Sequence, residues 1–365
     1  MLESFLFKVK DHRRKQGQRY KLGHILLFSI LAILSGADSY RKVQKFIVVH
    51  YERLDETFDL KWKRMPAHTT IRDIIQGTSG PELEQSFRQY SQVLAESDQQ
   101  KQCIGCDGKV LRGSFDHFQD QKAIQILSAF ASHSHLILAH EEIATKTNEI
   151  PTAQALMVAL GLAGYIFTFD ALHCQKTLQT AKETGNEVIV QVKGNQKTLL
   201  NDCQTIAATS TPDEVYQEPV TKTRNRIESR QVEIFISPVL SDAEKWALVK
   251  VVVKVDRDRQ VFEPKTKTWK NSDETSFYIS TIVLSPQEFC LAIRDHWGIE
   301  NRNHHVRDVT MGEDKSRIRI KPHIFAKLRS FALNILRKNK VENVSLELFE
   351  NAMNLDNVLN YVGIF

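Results

Sequence analysis

The sequence has few cysteines and no pattern of them that suggests disulfide pairing. Five cysteines occur in 365 residues, an odd number at spacings that do not repeat. Disulfide frameworks need paired cysteines and an oxidising compartment, so we expect reduced thiols. The sequence also shows no secretory signal pattern of a charged start followed by an apolar stretch. Together these features predict a cytoplasmic protein.

One cysteine pair, Cys103 and Cys106, has the two-residue spacing of zinc and redox motifs. The surrounding residues predict a strand, and residues three apart on a strand point to opposite faces. The pair therefore cannot chelate one ion there, and a structural zinc site needs four ligands. We expect ordinary buried or half-buried thiols.

Long hydrophobic runs are absent as well. The longest run, Ile25 to Leu34, is interrupted by Ser29 and is far shorter than the ~20 residues that a membrane helix needs. It predicts a core helix. The length and the 42% apolar content predict two or three domains with real cores.

Acidic residues are scarce in two segments, although the whole chain carries a formal charge of only +5. Residues 1–64 contain 14 lysines and arginines against 7 acidic residues, and residues 290–340 contain 12 against 5. Two such segments favour a polyanionic partner, and DNA is the natural one. Solvated surface charge is the ordinary alternative for either segment taken alone.

Up to about residue 96, apolar residues recur at helical spacing, which predicts a small all-α domain over residues 1–98. The predicted helices are Leu22 to Ser35, Tyr40 to Tyr51, Thr69 to Gln76 and Pro81 to Glu96. The last two, joined by a Gly/Pro turn, resemble a helix-turn-helix. Plain packing of two short helices explains the pattern equally well, so DNA binding here depends on the basic flank.

From residue 102 the pattern changes to strands and then to alternating helices and strands, which predicts an α/β domain with a mixed sheet over residues 99–340. Within it, residues 195–284 predict a β insertion whose strands include Trp246 to Val255. A helix with a serine and proline start signal then begins at Ser285 and is expected to carry Glu300. Residues 341–365 predict a C-terminal helix.

Three acidic residues stand at positions suited to a metal site. Asp107 and Asp170 each end an apolar, strand-like run, and open α/β sheets present functional residues at the carboxyl ends of strands. Glu300 lies among basic and aromatic residues on the predicted helix. Hard carboxylate oxygens are the ligands that Mg²⁺ prefers. For each residue, helix capping or surface charge is the ordinary alternative.

A series of short motifs follows one order along essentially the whole chain. The motifs are Asp107-Gly108-Lys109-Val110-Leu111-Arg112-Gly113-Ser114, Phe169-Asp170-Ala171-Leu172-His173-Cys174-Gln175-Lys176, Gln191-Val192-Lys193-Gly194-Asn195-Gln196, Arg226-Ile227-Glu228-Ser229-Arg230, His296-Trp297-Gly298-Ile299-Glu300-Asn301, Asp308-Val309-Thr310 and Glu313-Asp314. Each motif alone is loose, whereas the ordered set is specific. It resembles the DDE transposases of bacterial insertion sequences, in the branch of the H-repeat-associated proteins of Rhs elements.

The resemblance implies a ribonuclease H-like core, with the β insertion before the glutamate helix and the helical domain in front. It implies a catalytic, metal-binding triad of Asp107, Asp170 and Glu300 with two Mg²⁺ (or Mn²⁺) ions, which activate the attacking oxygen and stabilise the leaving oxygen in phosphodiester cleavage. The implied partner is double-stranded DNA, both element ends and target. A homodimer or higher oligomer in a synaptic complex, acting on the bacterial nucleoid, is expected.

Basic and amide residues in these motifs are the implied DNA contacts. They are Lys109, Arg112, Lys193, Asn195, Gln196, Arg230, Asn301 and His304. Such side chains position backbone phosphates. Lys109 shares a strand face with Asp107 and is expected at the scissile phosphate, with a solvated lysine as the alternative.

Two histidines and a tryptophan have less specific interpretations. His173 and His304 suit the orientation of ligands or attacking water, although a capping or buried histidine is the commoner finding. Trp297 is expected to be a core residue beside Ile299 rather than a stacking platform for an extruded base.

The chain departs from the family pattern after Glu300, where Asn303-His304-His305-Val306-Arg307 replaces mostly apolar positions. If these residues face the core, their polar groups must be satisfied there.

The ordered motifs make a transposase the leading hypothesis, one that binds terminal inverted repeats, cuts, and joins the ends to target DNA. The alternatives are a catalytically inactive or repurposed DNA-binding relative, and a stand-alone nuclease or junction resolvase.

Overall fold

A computed structural model describes residues 1–95, 103–115, 123–143, 149–170, 176–223 and 225–365. His173, singled out from the sequence, lies outside the described residues. The chain divides into two compact units. The helical unit comprises Met1–Gln100, Gly108–Asn148 and Ile299–Phe365, and the sheet unit comprises Lys101–Asp107 and Glu149–Gly298.

The elements alternate along the chain as a mixed α/β protein. The α-helices are α1 (Leu2–Leu6), α2 (Leu22–Leu34), α3 (Tyr40–Val49), α4 (Tyr51–Phe58), α5 (His68–Gly77), α6 (Gly80–Ala95), α7 (Glu149–Leu160), α8 (Lys176–Glu183), α9 (Lys197–Thr209), α10 (Pro286–His296), α11 (Pro322–Lys338), α12 (Val344–Met353) and α13 (Leu355–Leu359). The strands are β1 (Cys103–Val110), β2 (Gln125–Ala131), β3 (Leu136–Ile143), β4 (Ile166–Phe169), β5 (Glu187–Val192), β6 (Glu214–Gln217), β7 (Thr221–Thr223), β8 (Arg226–Ile236), β9 (Val251–Glu263) and β10 (Thr268–Ser280). Three 3₁₀ turns (Lys15–Gly17, Arg112–Ser114, Gly194–Gln196) and two π-helical segments (Ile299–His304, Val306–Thr310) complete the set.

The helical unit is built around one apolar core that joins distant parts of the sequence. Every residue of α2 is buried, as its apolar run predicts, and α11 packs against α2, α6 and β3. The backbone N–H of Leu2 donates to the carbonyl of Ile364 at 3.0 Å. The first six helices therefore share their core with the last three and with the β2–β3 hairpin.

The sheet unit contains a mixed sheet with the strand order β1-β4-β5-β10-β9-β8-β6, and β7 pairs with β8. β1, β4 and β5 are parallel, whereas β10, β9 and β8 run antiparallel to their neighbours. Phe289 and Ile293 of α10 pack into a core with the apolar residues of β4, β5, β8, β9 and β10. The antiparallel strands come from residues 214–280, within the segment where the sequence predicts a β insertion.

Several predicted boundaries are wrong for identifiable reasons. The helix from Ser285 begins at the predicted start signal, where Ser285 and Glu288 form a capping box. It ends at His296, and Glu300 lies on a π-helical segment instead. The intervening Gly298 weakens α-helical continuation. β9 begins at Val251 rather than Trp246, because residues 241–248 form turns. Residues 341–365 form two helices instead of one.

The compact units do not follow the predicted division at residues 98 and 340. Residues 1–100 group with residues 108–148 and 299–365. Compactness and family extent are different properties, so the predicted domain boundaries stay a prediction.

The cysteine and membrane expectations can be compared directly with the described residues. Cys103, Cys106, Cys203 and Cys290 are free thiols. Burial raises the pKa of Cys103 to about 11, so it is not a reactive thiolate at neutral pH. In the part of the chain that the structure describes, no helix is both long and apolar enough to cross a membrane.

Candidate metal and DNA site

The two aspartates of the sheet unit lie on neighbouring parallel strands. β1 and β4 pair with Ile104 opposite Phe167 and Gly105 opposite Thr168. Continuing this register by two residues sets Asp107 beside Asp170, the first residue after β4. Neighbouring strands are about 4.8 Å apart, so both carboxylates can reach a common cation.

The face that carries these aspartates is also the face that His296 contacts. Thr168 Oγ1 lies 2.9 Å from His296 Nδ1, within hydrogen-bonding distance. A Cβ at Gly105 would lie 3.7 Å from that same ring nitrogen. Because side chains alternate along a strand, Asp107, within β1, projects on the face of Gly105. The last turn of α10 therefore lies against the strand face on which Asp107 projects.

A lysine already neutralises one of the two carboxylates. Lys193 directly follows β5, the parallel neighbour of β4, and its Nζ donates to Asp170 Oδ1 at 2.7 Å. Both side chains are about half exposed. The predicted phosphate contact at Lys193 is thus placed at the same strand ends as the aspartates.

Glu300 is placed in the helical unit, on the π-helical segment Ile299–His304, with its side chain exposed. π-turns are rare and recur at functional sites. Among the described residues, no three or more His, Cys, Asp or Glu side chains come together in a group that could hold a metal ion. The aspartate pair still fits Mg²⁺, which binds one or two protein carboxylates and takes its other ligands from water and phosphate.

Lys109, predicted at the scissile phosphate, is buried and already engaged. Its Nζ lies 2.5 Å from Glu313 Oε1 and 2.5 Å from Asp308 Oδ1, and the residue is only 7% exposed. Glu313 is 4% exposed and also accepts a 2.8 Å hydrogen bond from Arg307. Arg329 approaches the same carboxylate at 3.6 Å. We call these five residues the Glu313 cluster.

The charges of the Glu313 cluster compensate one another. Burial acts to raise the pKa of Glu313, but Arg307, Lys109 and Arg329 together hold it well below its usual value. A fully buried carboxylate is tolerated only when it is paired and hydrogen-bonded in this way. The cluster ties β1, which carries Asp107 two residues before Lys109, to the segment that follows Glu300.

Asn303 and Arg307, which replace apolar family positions, face the core, whereas His305 is exposed. Arg307 is 1% exposed and is satisfied by Glu313, whereas Asn303 is fully buried and its amide has no hydrogen-bond partner among the described residues. His304 is 9% exposed. Burial, and then the charges of Lys109 and Arg307, lower its pKa to about 3, so the ring is neutral at pH 7. These positions favour a structural role for His304.

The other predicted DNA contacts fall into two groups. The first group lies at the surface: three of its residues are exposed, Arg112, Asn195 and Asn301, and Gln196 is half-buried. Arg112 lies on the 3₁₀ turn Arg112–Ser114, with its Nη1 3.6 Å from Asp314 Oδ2. Their positions at the surface suit phosphate contacts.

Arg230, in contrast, is held among carboxylates within the sheet unit. Its Nη1 donates to Glu218 at 2.8 Å and its Nη2 donates to Glu228. Burial acts to raise the pKa of Glu228, but Arg230, Arg257 and Arg226 lower it overall. The pairing indicates that Arg230 stabilises the β8–β9 region.

Trp297 is 41% exposed, so the expectation of a core tryptophan is wrong. The residue follows the end of α10, where its ring meets His296 edge to face at 6.4 Å.

Glu313 and Arg329 were not selected from the sequence as site residues. The Glu313-Asp314 motif was the available signal, but motif position alone does not reveal burial.

Comparison with known proteins identifies the class. The family model described as "Transposase DDE domain" matches residues 99–336, and the one described as "DDE_Tnp_1-associated" matches residues 4–91. The chain therefore belongs to the DDE transposase family.

Curated relatives narrow this class to the predicted branch. "Putative protein YbfL" and "H repeat-associated putative transposase YhhI" of Escherichia coli (strain K12) are each 30% identical over 348 residues, covering 93% of this chain and 90% of each relative. "H repeat-associated putative transposase YbfD" of the same strain is 30% identical over 192 residues, covering 52% of this chain and 75% of the relative. The resemblance to the H-repeat-associated branch is confirmed.

One solved structure is a more distant match. The piggyBac transposase synaptic complex with hairpin DNA aligns with a TM-score of 0.41 and 11% identity, covering 96% of this chain and 77% of that one.

Proposed function

We propose that this chain binds the terminal inverted repeats of an insertion sequence and catalyses metal-dependent DNA cleavage and strand transfer. The observation that supports the proposal is the parallel pairing of β1 with β4, whose register, continued by two residues, brings Asp107 within β1 opposite Asp170 just after β4. Family membership supports the reaction class. Glu300, four residues after the His296 that contacts these strands, is proposed as the third carboxylate.

The proposed reaction is two phosphoryl transfers. In the first, a water oxygen bonds to the scissile phosphorus as the P–O3′ bond breaks; the water loses a proton and the 3′ oxygen gains one. In the second, the freed 3′-hydroxyl attacks a target phosphorus and releases a target 3′-hydroxyl. Mg²⁺ or Mn²⁺, two ions in the proposal, would activate the attacking oxygen and stabilise the leaving one, held by Asp107, Asp170 and Glu300.

The remaining residues divide into contacts and supports. We propose that Arg112, Lys193, Asn195, Gln196 and Asn301 contact DNA phosphates, which suits their exposed or half-buried amide and cationic groups. Lys109, Arg230 and His304 enter the proposal as positioning residues, because the first two are ion-paired and the third is buried.

The finer architecture belongs to the same proposal. We infer a ribonuclease H-like catalytic domain over residues 99–340 with the β insertion at 195–284, a DNA-contacting helical domain over residues 1–98 and a C-terminal segment over residues 341–365. A parallel β1-β4-β5 core beside an antiparallel extension supports this division. Because an element has two ends to pair, we propose a homodimer or higher oligomer on DNA, acting on the bacterial nucleoid in the cytoplasm.

The test is cleavage and joining of a labelled duplex that carries the flanking element end, with Mg²⁺ or with EDTA. Glu300→Gln and Asp107→Asn should each abolish Mg²⁺-dependent 3′-end cleavage. Exposed residues supply matched controls, Glu244→Gln and Asp273→Asn, which should cleave as wild type does. Equal activity in Glu300→Gln and Glu244→Gln would remove Glu300 from the site.

A catalytically inactive DNA-binding relative is the second candidate. The buried Asn303 amide, which has no hydrogen-bond partner among the described residues, favours it, because an unsatisfied buried amide destabilises the fold. End binding without cleavage in the wild-type protein, in either metal, would select that candidate.

A further inference from the structure

A large cavity in the helical unit has basic side chains at about half of its lining positions. Its volume is about 1000 Å³, and its basic lining residues are His133, His135, Arg302, Arg337, Lys338 and Lys340. Glu342 is the one acidic residue among the described lining residues. We call this the Arg302–Arg337 cavity. It is formed by the β2–β3 turn, the π-helical segment after Glu300 and the end of α11.

The two arginines are held close together without a carboxylate between them. Arg337 Nη2 donates to the main-chain carbonyl of Arg302 at 2.8 Å. In the described part of the chain, neither Arg302, Arg337 nor Lys340 has an ion pair with an acidic side chain, and Arg337 Nε is buried without a hydrogen-bond partner. An anion would satisfy donors that the fold leaves over.

The positive charges of the two arginines also act on each other and on a nearby histidine. Burial, and then the charge of Arg302, lower the pKa of Arg337. Burial, and then Arg302 and Arg337, lower the pKa of His135 to about 4. His135 also sits in the left-handed region at φ 56°, so the β2–β3 turn holds it in an uncommon conformation.

We propose that the Arg302–Arg337 cavity binds the phosphodiester backbone of the DNA strand that adjoins the bond cut at Glu300. This rests on the proposed function. Asn301 and Arg302 directly follow Glu300 on one π-helical segment, so a strand whose phosphate lies at Glu300 passes these residues. The volume of the cavity is at the upper end of the range for small-molecule sites, so it suits several nucleotides of a DNA strand better than a single ion. Guanidinium groups match phosphate oxygens in a bidentate manner.

The test measures binding alone, in EDTA, with the full chain and a fluorescent duplex that carries the element end. The double variant Arg302→Gln/Lys340→Gln removes two exposed cations and leaves the more buried Arg337 in place. Its control, Lys265→Gln/Lys267→Gln in the β9–β10 turn, removes the same charge, and Lys267 shares the left-handed backbone of Lys340.

We expect the cavity variant to bind at least about tenfold more weakly than the control and to lower the salt dependence of log K by about 1 to 2. Arg302→Lys/Lys340→Arg should restore most of the affinity, and an unchanged thermal midpoint shows that each variant is folded. Equal binding by the cavity variant and the control overturns the proposal.

Two further measurements are needed. One distinguishes a free phosphate from a DNA phosphate as the ligand of the cavity, and the other distinguishes failure of the cavity proposal from failure of the proposed catalysis. If inorganic phosphate binds to wild type but not to the cavity variant, as measured by calorimetry, while both proteins bind the duplex equally, the cavity holds a free anion and the proposal is wrong. Glu300→Gln should keep wild-type binding. If the cavity variant binds DNA more weakly but the wild-type protein does not cleave, the cavity proposal is supported and the proposed catalysis is contradicted. If the wild-type protein cleaves but the cavity variant binds DNA as the control does, the proposed catalysis is supported and the cavity proposal is contradicted.

Discussion

The ammonium group of Lys109 lies 2.5 Å from the carboxylate of Glu313, 204 residues later in the chain. Both side chains are buried. The pair joins the strand that carries Asp107 to the segment that follows Glu300. Lys109 is thus ion-paired within the protein, and its expected contact with the scissile phosphate stays a prediction.

Neutralising Glu313 should strongly destabilise the fold. Glu313→Gln leaves Lys109, Arg307 and Arg329 buried around an uncharged amide, and breaking a buried ion pair typically costs about 3 to 5 kcal/mol. Urea unfolding at pH 7 measures the loss. The exposed Glu244→Gln should change the unfolding free energy by less than about 0.5 kcal/mol. A loss below about 1 kcal/mol for Glu313→Gln would show that the cluster is not a structural centre.

Acidification should destabilise the protein through His304. Its pKa is lowered to about 3 in the folded state, so between its usual pKa of about 6.5 and 3 the unfolded state binds more protons. Stability is therefore fully present above pH 6.5 and falls as the pH drops. Between pH 7 and pH 5 this histidine should account for about 2 kcal/mol. Urea unfolding of His304→Gln at both pH values should show a smaller difference, and the exposed neighbour His305→Gln should behave as wild type.

Removing the ammonium beside Asp170 should affect ion binding more than stability. The Lys193–Asp170 pair is about half exposed, so Lys193→Met should change the unfolding free energy by less than about 1 kcal/mol. It also removes the positive charge beside Asp170 Oδ1, and Mn²⁺ should bind severalfold more tightly, as followed by electron paramagnetic resonance without DNA. The nearby exposed Lys197→Met is the control. Unchanged Mn²⁺ affinity in Lys193→Met would mean that Asp170 is not a metal ligand.

Two glycines should lose stability to different extents when one methyl group is added. A Cβ at Gly113 would overlap the main-chain carbonyl oxygen of Ser316, whereas a Cβ at Gly105 would meet its neighbours at 3.7 Å, an ordinary contact. Gly113→Ala should therefore lower the unfolding free energy by about 1 to 3 kcal/mol, and Gly105→Ala by less than about 1 kcal/mol. Urea midpoints compare the two. Similar losses in both would contradict the close approach at Gly113.

The local parts of this architecture were readable from the sequence. The strand-like runs before Asp107 and Asp170 are strands β1 and β4, although β1 continues past Asp107 to Val110, and the Ser285 start signal is the observed capping box. The π-helical segment was not readable, because its hydrogen-bond shift leaves no clear trace in the apolar period. The burial of Lys109 was also beyond local inference, since its partners are about 200 residues away. Ion pairs between residues far apart in the sequence therefore determine which of the predicted DNA contacts are buried and which are exposed.

The hydrogen bond between Leu2 and Ile364 has a consequence during translation. Helices α1 to α6 emerge first from the ribosome, but their apolar faces are covered by α11 to α13, which emerge last. The sheet unit, complete once residue 298 is made, can close while synthesis continues, whereas the helical unit must wait. A prematurely terminated chain that lacks residues 299–365 would therefore expose its N-terminal apolar surface, a substrate for chaperones and proteases rather than a functional DNA-binding fragment.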